Sequence, residues 1–461
     1  MTPIDDEREL RRILSGQRVT EAEVRAAQRA RSRIASLSVR SGRARSRLHS
    51  ALALVALVAV LGAVAALAIA IHVGSRGTGK VPSGSTTPSP SAISRPSSSP
   101  SPSSRPSPSA SISASASAWR VVSTPGGLDL SSVSCVSSTD CWAVGNTTIE
   151  HYEGSAWTVV SNPTGGGLVS VACPAANDCW AVGGVNALGG NAVAPLIAHY
   201  TGGAWAIASG PSVSPVVDND LVSFRAVTCV SADDCWAVGT DSQDLNGPGG
   251  GPPAQPLIAH YDGAAWELVT APAAGTDNST LAGVACATST DCWAVGTYSG
   301  GALIEHYAGS AWTVAGGGVD GLLDAVTCAG PEECWAVGPT GGAAGNQPLV
   351  EEYRGSGWAA VSSPPVAGSS AQFFGVACVA ADDCWAVGEA MGAAWVPGSG
   401  APPPGVLSPL VEHYSAGIWT VVTSSQVGYA SLSAITAVSP GTVWAVGGVG
   451  YPMVALTETT P

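Results

Sequence analysis

From residue 119 onward the chain alternates apolar and polar positions in short runs, each closed by Gly- or Asp-bearing turns. In one stretch Gly283-Val284-Ala285-Cys286 leads, five residues later, to Cys292-Trp293-Ala294-Val295-Gly296. Leu303-Ile304-Glu305-His306-Tyr307 and Trp312-Thr313-Val314 follow. Period-two runs rich in Val, Ile, Tyr and Trp predict four short antiparallel strands, here a to d, and no helix. The pattern recurs. Cys-Trp-Ala-Val-Gly stands at 141–145, 179–183, 235–239, 292–296, 334–338 and 384–388, and Val443-Trp444-Ala445-Val446-Gly447 is a seventh copy without the cysteine. Residues 119–461 divide into seven units averaging 49 residues. The expected fold is all-β, a seven-bladed β-propeller of four-stranded antiparallel blades, because stacking such units radially buries both faces of each sheet.

The tryptophans predict how the ring closes. Seven stand on strand b (142, 180, 236, 293, 335, 385 and 444) and seven on strand d (119, 157, 205, 266, 312, 358 and 419). The first d strand, Trp119-Arg120-Val121-Val122, precedes any a strand, while the last unit ends on strand c near Met453-Val454-Ala455-Leu456. The N-terminal strand is therefore expected on the vacant outer edge of the last blade, where it removes an exposed edge.

Before residue 119 the pattern changes three times. Residues 51–73 are apolar and uncharged, broken only by Gly62 and His72. At 1.5 Å per residue such a helix spans roughly 34 Å, enough for a bilayer core of about 30 Å. Residues 1–50 hold twelve Arg against six acids, net +6, with Arg40, Arg43, Arg45 and Arg47 next to the apolar run. That flank predicts a single-pass signal anchor with a cytoplasmic basic stub and an extracytoplasmic C-terminal domain. A cleaved signal peptide fits less well, since its apolar region is usually ~7–15 residues. Residues 74–118 are almost wholly Ser, Pro, Ala, Gly and Thr, a disordered linker that sets distance from the membrane.

Charge excludes one function class. Residues 119–461 carry 27 acids against only Arg120, Arg225 and Arg354, net −24, which repels phosphate backbones and argues against nucleic-acid binding. All twelve cysteines lie in the first six units as Cys-x5-Cys: Cys135/Cys141, Cys173/Cys179, Cys229/Cys235, Cys286/Cys292, Cys328/Cys334 and Cys378/Cys384. In an exported a–b hairpin that spacing predicts local disulfides. A zinc site would want shorter Cys-x2-4-Cys knuckles. Residues present in every unit are expected to build the unit. Asp140, Asp178, Asp234, Asp291, Glu333 and Asp383 read as turn acceptors. His151, His199, His260, His306 and His413 occupy one strand-c position in separate blades and read as scaffold.

The c–d turn, Tyr-x-Gly-x-x-Trp at 152–157, 200–205, 261–266, 307–312 and 353–358, resembles the tail of the Asp-box (BNR) repeat of sialidase-like propellers, with Asp262 matching its aspartate. Together with the Cys-Trp-Ala-Val-Gly strand, the unit is similar to membrane-anchored bacterial propeller proteins of BNR or Kelch-like type. The resemblance implies the propeller fold over 119–461. The arginine triad with which sialidases hold a substrate carboxylate is not carried over, since only three arginines are present.

The expected function is a membrane-anchored extracytoplasmic module that binds a partner protein, a glycan or an envelope component. The alternative is a carbohydrate-active hydrolase or lyase using carboxylates such as Asp218, Asp220, Asp241 or Asp244. No cofactor is expected except a candidate Ca²⁺ site, for which Asp218, Asp220, Asp241, Asp244 and Asn246 offer hard oxygens on one face. The b–c loops vary most, notably 240–256 and 389–409, and the second holds Trp395, the one tryptophan outside the repeat pattern. That places the expected working surface on the b–c face, with Trp395 as a ligand-binding anchor.

Overall fold

The computed structural model describes residues 118–126, 129–187, 192–213, 220–242, 252–272, 278–299, 301–315, 321–341, 345–366, 370–391, 407–422, 431–448 and 454–459. The basic stub, the 51–73 span and the Ser/Pro linker up to residue 117 lie outside them. Among the described residues no helix is long and apolar enough to cross a membrane. The chain divides between Pro108 and Ser109, and the fold described is that of Ser109–Pro461.

Repeat four shows the unit. Strands Ser279–Thr288, Asp291–Tyr298, Gly301–Tyr307 and Trp312–Val314 form an antiparallel sheet in chain order. Repeats one, five and six have the same order. Repeats two and three are two such meanders joined into one eight-stranded sheet by a single parallel pairing of Leu221 with Val193. There the Val193 N–H donates to the Asp220 carbonyl at 2.8 Å.

The last sheet is assembled from both ends of the domain. Strands Ser431–Ser439, Thr442–Gly448 and Val454–Thr459 take Ala118–Ser123 as their fourth member, with Trp119 opposite Glu458 and Val122 opposite Ala455. The N-terminal strand thus covers the edge that the sequence pattern left vacant.

Strand alternation explains the core. Trp142 and Val144 face repeat two, packing with Leu168, Val171, Ala181 and Trp205. Cys141 and Ala143, on the other side of the same strand, pack with Trp444 and Val446 of repeat seven. Each b-strand tryptophan meets the d-strand tryptophan of the next unit edge to face, with centroids 5.2–5.6 Å apart, from Trp142–Trp205 round to Trp385–Trp119 and Trp444–Trp157. Such pairs contribute about 0.5–1.5 kcal/mol each beyond the area they bury. The a strands of successive units touch in a cyclic series that returns from the last unit to the first, so strand a is innermost.

The glycine ending each Cys-Trp-Ala-Val-Gly copy is fixed by the same geometry. In repeats two, three, four, six and seven strand a carries a bulge opposite it, as between Leu281 and Gly283 or Phe373 and Gly375. A Cβ on Gly296 or Gly388 would collide with the backbone carbonyl of Thr280 or Gln372. The b–c loops are shorter than the sequence suggested. Thr240 pairs with Pro256 and Glu389 with Pro409, and the b–c ladders run on to Asp241–Gln255 and Met391–Leu407.

Candidate functional site

The residues that repeat are consumed by the scaffold. All six Cys-x5-Cys pairs are joined: Cys135–Cys141, Cys173–Cys179, Cys229–Cys235, Cys286–Cys292, Cys328–Cys334 and Cys378–Cys384, with Cα–Cα separations of 3.9–4.0 Å. These are the local bridges that the spacing led one to expect, and one sulfur of each is buried. Cys141, Cys179, Cys235, Cys292, Cys334 and Cys384 present no surface at all, because strand parity turns the first residue of each b strand's Cys-Trp-Ala-Val-Gly run into the layer between units. Cys179 packs against Trp142 and Trp205, Cys235 against Trp180 and Trp266, Cys334 against Trp293, and Cys384 against Trp335 and Trp419. The other cysteine of each pair is only partly buried, so each bridge runs from the inter-unit layer toward the surface and braces its hairpin. In repeat seven Ala437 and Val443 face each other in their place.

The recurrent acids are not the turn acceptors that the sequence suggested. Each aspartate bonds the histidine of its own unit: His151 to Asp140, His199 to Asp178, His260 to Asp234, His306 to Asp291 and His413 to Asp383, all at 2.7–2.8 Å through Nε2. The turn acceptor is instead a hydroxyl two residues upstream of the receiving N–H, as in Thr139 N–H to Ser137 Oγ and Thr290 N–H to Thr288 Oγ1. The histidine ring also stacks on the b-strand tryptophan, with centroids 3.7–4.2 Å apart. Aspartate, imidazole and indole form one clasp in each of repeats one, two, three, four and six. In repeat five, Glu333 and Glu352 replace the pair, and Arg354 bridges to Glu352 at 2.6 Å. Asp262, the Asp-box match, accepts from the N–H groups of Ala264 and Ala265, which hold its carboxyl below the usual range.

A second set of acids carries no signal in the sequence. Glu150, Glu305, Glu351 and Glu412 lie fully buried on strand c, opposite the alanine of Trp-Ala-Val. Strand parity turns them away from solvent and toward the preceding unit. The linker entering each repeat can supply a partner. Gly126 N–H donates to Glu150 Oε1, and Ser363 Oγ lies 2.9 Å from both oxygens of Glu412. Ser363 is five residues after Trp358. Ala271, five after Trp266, stands at the same place before Glu305. Neither Glu305 oxygen has a hydrogen-bond partner among the described residues. Burial pushes Glu305 up to about 8 and, against the Ser363 hydroxyl, Glu412 up to about 7. Glu150 is raised by burial and held back by the Gly126 N–H.

Of the candidate calcium ligands, Asp218, Asp244 and Asn246 lie outside the described residues, as does Trp395. Asp220 and Asp241 sit at the same end of one hairpin, beside the Leu221–Ser242 and Val222–Asp241 pairs. Among the described residues no three or more His, Cys, Asp or Glu gather at metal-binding distance.

The innermost strands carry the departures from the repeat. The bulge residue of strand a is neutral in repeats two, four and seven (Val169, Ala282 and Ser433), and Ser131 stands just before strand a of repeat one. It is Arg225 in repeat three and Phe374 in repeat six, while in repeat five Asp324 stands just before strand Ala325–Gly330 and its N–H donates to the Val337 carbonyl. Arg225 is exposed and Asp324 half-buried. Burial pushes the Asp324 carboxyl up to about 6 against the opposing pull of Arg225. Near the same end, Asn346 Nδ2 donates to Gln372 Oε1 at 2.8 Å, and Gln372 Nε2 donates to Glu389 Oε1 at 2.9 Å. This network leads to the strand that opens the longest b–c loop. Arg120 and Arg354 lie on an outer strand and a c–d turn. Sequence reading had no means of placing Arg225, because a bulge is invisible to period-two counting.

Comparison with known proteins supports the fold and goes no further. No family model matches the chain, and no curated protein matches it. Among solved structures, selenomethionine-substituted virginiamycin B lyase from Staphylococcus aureus superposes at TM-score 0.51 and 11% identity over 74% of this chain and 99% of that one. A structure of YCF48 bound to D1 peptide gives TM-score 0.48 at 14% identity, over 74% and 97%. The WD40 β-propeller domain of Doa1 gives 0.49 at 11%, over 75% and 98%. The chain is thus similar in fold to β-propellers.

Proposed function

We propose that the chain is a seven-bladed β-propeller held outside the cytoplasmic membrane by the 51–73 helix and the Ser/Pro linker, and that it binds a protein partner through its b–c face. One observation carries the reading: what repeats is spent on the scaffold, and what departs from the repeat lies along the inner strands and at the b–c ends they lead to. Cysteines, tryptophans, histidines and their aspartates hold units together or bond within them. Arg225, Asp324 and Phe374, with the Asn346–Gln372–Glu389 network, break the repeat. A rigid frame that concentrates its variation on one face is the usual arrangement of a recognition module.

The attachment is consistent with this. Ala118 lies level with Thr459 and Thr442, at the end bearing the a–b turns, so the linker joins opposite the b–c loops. The test is crosslinking and capture from intact cells with the full-length chain, comparing wild type with a variant whose 392–406 loop is shortened. A partner lost with that loop at unchanged melting temperature supports the reading, and equal capture refutes it. Protease cutting residues 1–50 from outside the cell would remove the topology.

A further inference from the structure

One position on strand c meets three different partners from the linker that enters its unit. In repeat one the Gly126 N–H donates to Glu150 Oε1 at 2.9 Å. In repeat four the linker carries Ala271, and neither oxygen of Glu305 has a hydrogen-bond partner among the described residues. In repeat six Ser363 Oγ stands 2.9 Å from both oxygens of Glu412. All three carboxyls are fully buried, while repeats two and three hold Ala198 and Ala259 at the same position.

The three partners differ in what they can do with a proton. An amide N–H only donates, so it suits the ionised carboxylate, and a methyl does neither. A hydroxyl both donates and accepts. Its single hydrogen cannot serve two carboxylate oxygens at once. Both 2.9 Å contacts of Ser363 are therefore hydrogen bonds only when Glu412 carries a proton and donates it to Ser363 Oγ. Once ionised, Glu412 keeps one bond and leaves its other oxygen in an apolar layer, which is unfavourable. That layer holds Trp335 and Val350 of the preceding unit, Ala386 and Tyr414 of its own sheet, and Val361 and Val366 on either side of Ser363. Tyr414 is the one titratable group among these, and its hydroxyl accepts from Arg354. Glu351, beside Val350, pairs with Ala336 and so faces the layer on the other side of its sheet. Burial raises Glu412 against the Ser363 hydroxyl, and no charged group among the described residues adds to the shift.

We propose that Glu412 and Ser363 form a proton-operated latch on the linker between repeats five and six, holding it down while the carboxyl is protonated and releasing it as the carboxyl ionises. The linker has few other ties. Val361 N–H donates to the Val350 carbonyl at 2.9 Å, and Pro364 and Pro365 have no N–H to offer. It leads into strand Ser370–Ala380, where Ser370 Oγ and Gln372 hold Asn346 and Gln372 also holds Glu389. A loosened linker therefore reaches the b–c end of both units. Because Glu412 rises from the ordinary 4.5 to about 7, the folded state holds the proton more tightly than an opened one. The latch is fully closed below about 4.5, weakens by at most about tenfold per pH unit above that, and is spent by about 7. It works within the domain and stands independently of the protein-binding reading.

The test is hydrogen exchange on the full-length protein in detergent from about pH 4.5 to 8.5, read by mass spectrometry with fragmentation to single amides. Exchange times are scaled for the intrinsic effect of pH. Val361 N–H is the reporter. Ala208 N–H, bonded to the Ile197 carbonyl at 3.0 Å in the linker between repeats two and three, is the control, because Ala259 stands there in the place of Glu412. Protection at Val361 is expected to fall by more than about tenfold between pH 5 and pH 7 and then level off, while Ala208 stays flat. Glu412→Gln, which does not titrate, is expected to give a flat profile at the level wild type shows near pH 5. Glu412→Ala, which copies repeats two and three, should also be flat and serves if the glutamine variant does not fold. Ser363→Ala is expected to lower protection several-fold at pH 5. A Val361 profile parallel to that of Ala208, a wild-type slope in Glu412→Gln, or wild-type protection in Ser363→Ala at pH 5 overturns the proposal.

Discussion

Replacing Glu305 by Gln tests the buried carboxylates directly. The side chain is fully buried in an inter-unit layer of Trp236, Val238, Leu281, Ala294 and Trp312 without a hydrogen-bond partner for either oxygen among the described residues. Its carboxyl rises from the ordinary 4.5 to about 8. Because the folded state holds the proton more tightly than the unfolded chain, this group's contribution is fully present below about 4.5. It declines as pH rises and is lost above about 8. At about 1.4 kcal/mol per tenfold change, the full swing approaches 5 kcal/mol as an upper bound. Glu412 adds to the same slope with its midpoint near 7. Wild type should therefore melt higher at pH 5 than at pH 8.5. Glu305→Gln, which mimics the protonated form, should match wild type at pH 5 and exceed it by several degrees at pH 8.5. Differential scanning calorimetry of the full-length chain across that range reads both. If the two proteins keep parallel pH profiles, or if wild type gains stability toward pH 8.5, the assignment of a neutral buried acid is wrong.

Three further outcomes follow from the frame. Cys286→Ala with Cys292→Val copies the arrangement of repeat seven, so the double variant should fold and lose roughly 2 kcal/mol, the chain-entropy value for so short a loop; failure to fold would show that the bridges are obligatory. Gly296→Ala sets a methyl against the Thr280 carbonyl and should cost more than about 3 kcal/mol or abolish folding, read by denaturant melts; a near-neutral result would dismiss the close approach. Deleting residues 118–123 strips Val454–Thr459 of its outer partner and should broaden and lower the melt; an unchanged transition would refute closure by that strand.

Much of the frame is readable from the chain because a repeat states its rule many times. Strand order, the facing cysteines and the closing strand follow from period-two alternation and from counting Trp119 against Trp444. What stays hidden depends on which side of a strand a residue takes. Glu305 sits between Ile304 and His306 and looks like any exposed acid. Only its pairing with Ala294, in the middle of Trp-Ala-Val, turns it inward. The His306–Asp291 bond is hidden for a related reason, since the aspartate reads as part of its turn rather than as reaching across to strand c. Spacing likewise pairs Cys328 with Cys334 without telling that Cys334 is sealed between units. Arg225 is legible as a rarity in an acidic domain but not as an inner-wall residue, because the bulge that places it follows from the close approach at Gly239.

The pairing of Ala118–Ser123 with Val454–Thr459 also sets an order of events during synthesis. Among the described residues every other sheet contact is local or between successive units, and each disulfide joins cysteines six apart, so a hairpin can form and oxidise correctly as soon as it emerges. The closing strand is made first and its partner last. On the loop-entropy scaling, the length-dependent part of joining ends some 340 residues apart is roughly 5 kcal/mol, against under 2 for a seven-residue hairpin. Closure is thus the final and least favourable step, met only when every preceding unit is in place to hold the ends near each other. A chain stalled before residue 454 would carry correctly oxidised hairpins and still leave two strand edges open, which makes those edges, rather than free thiols, the mark of an unfinished molecule.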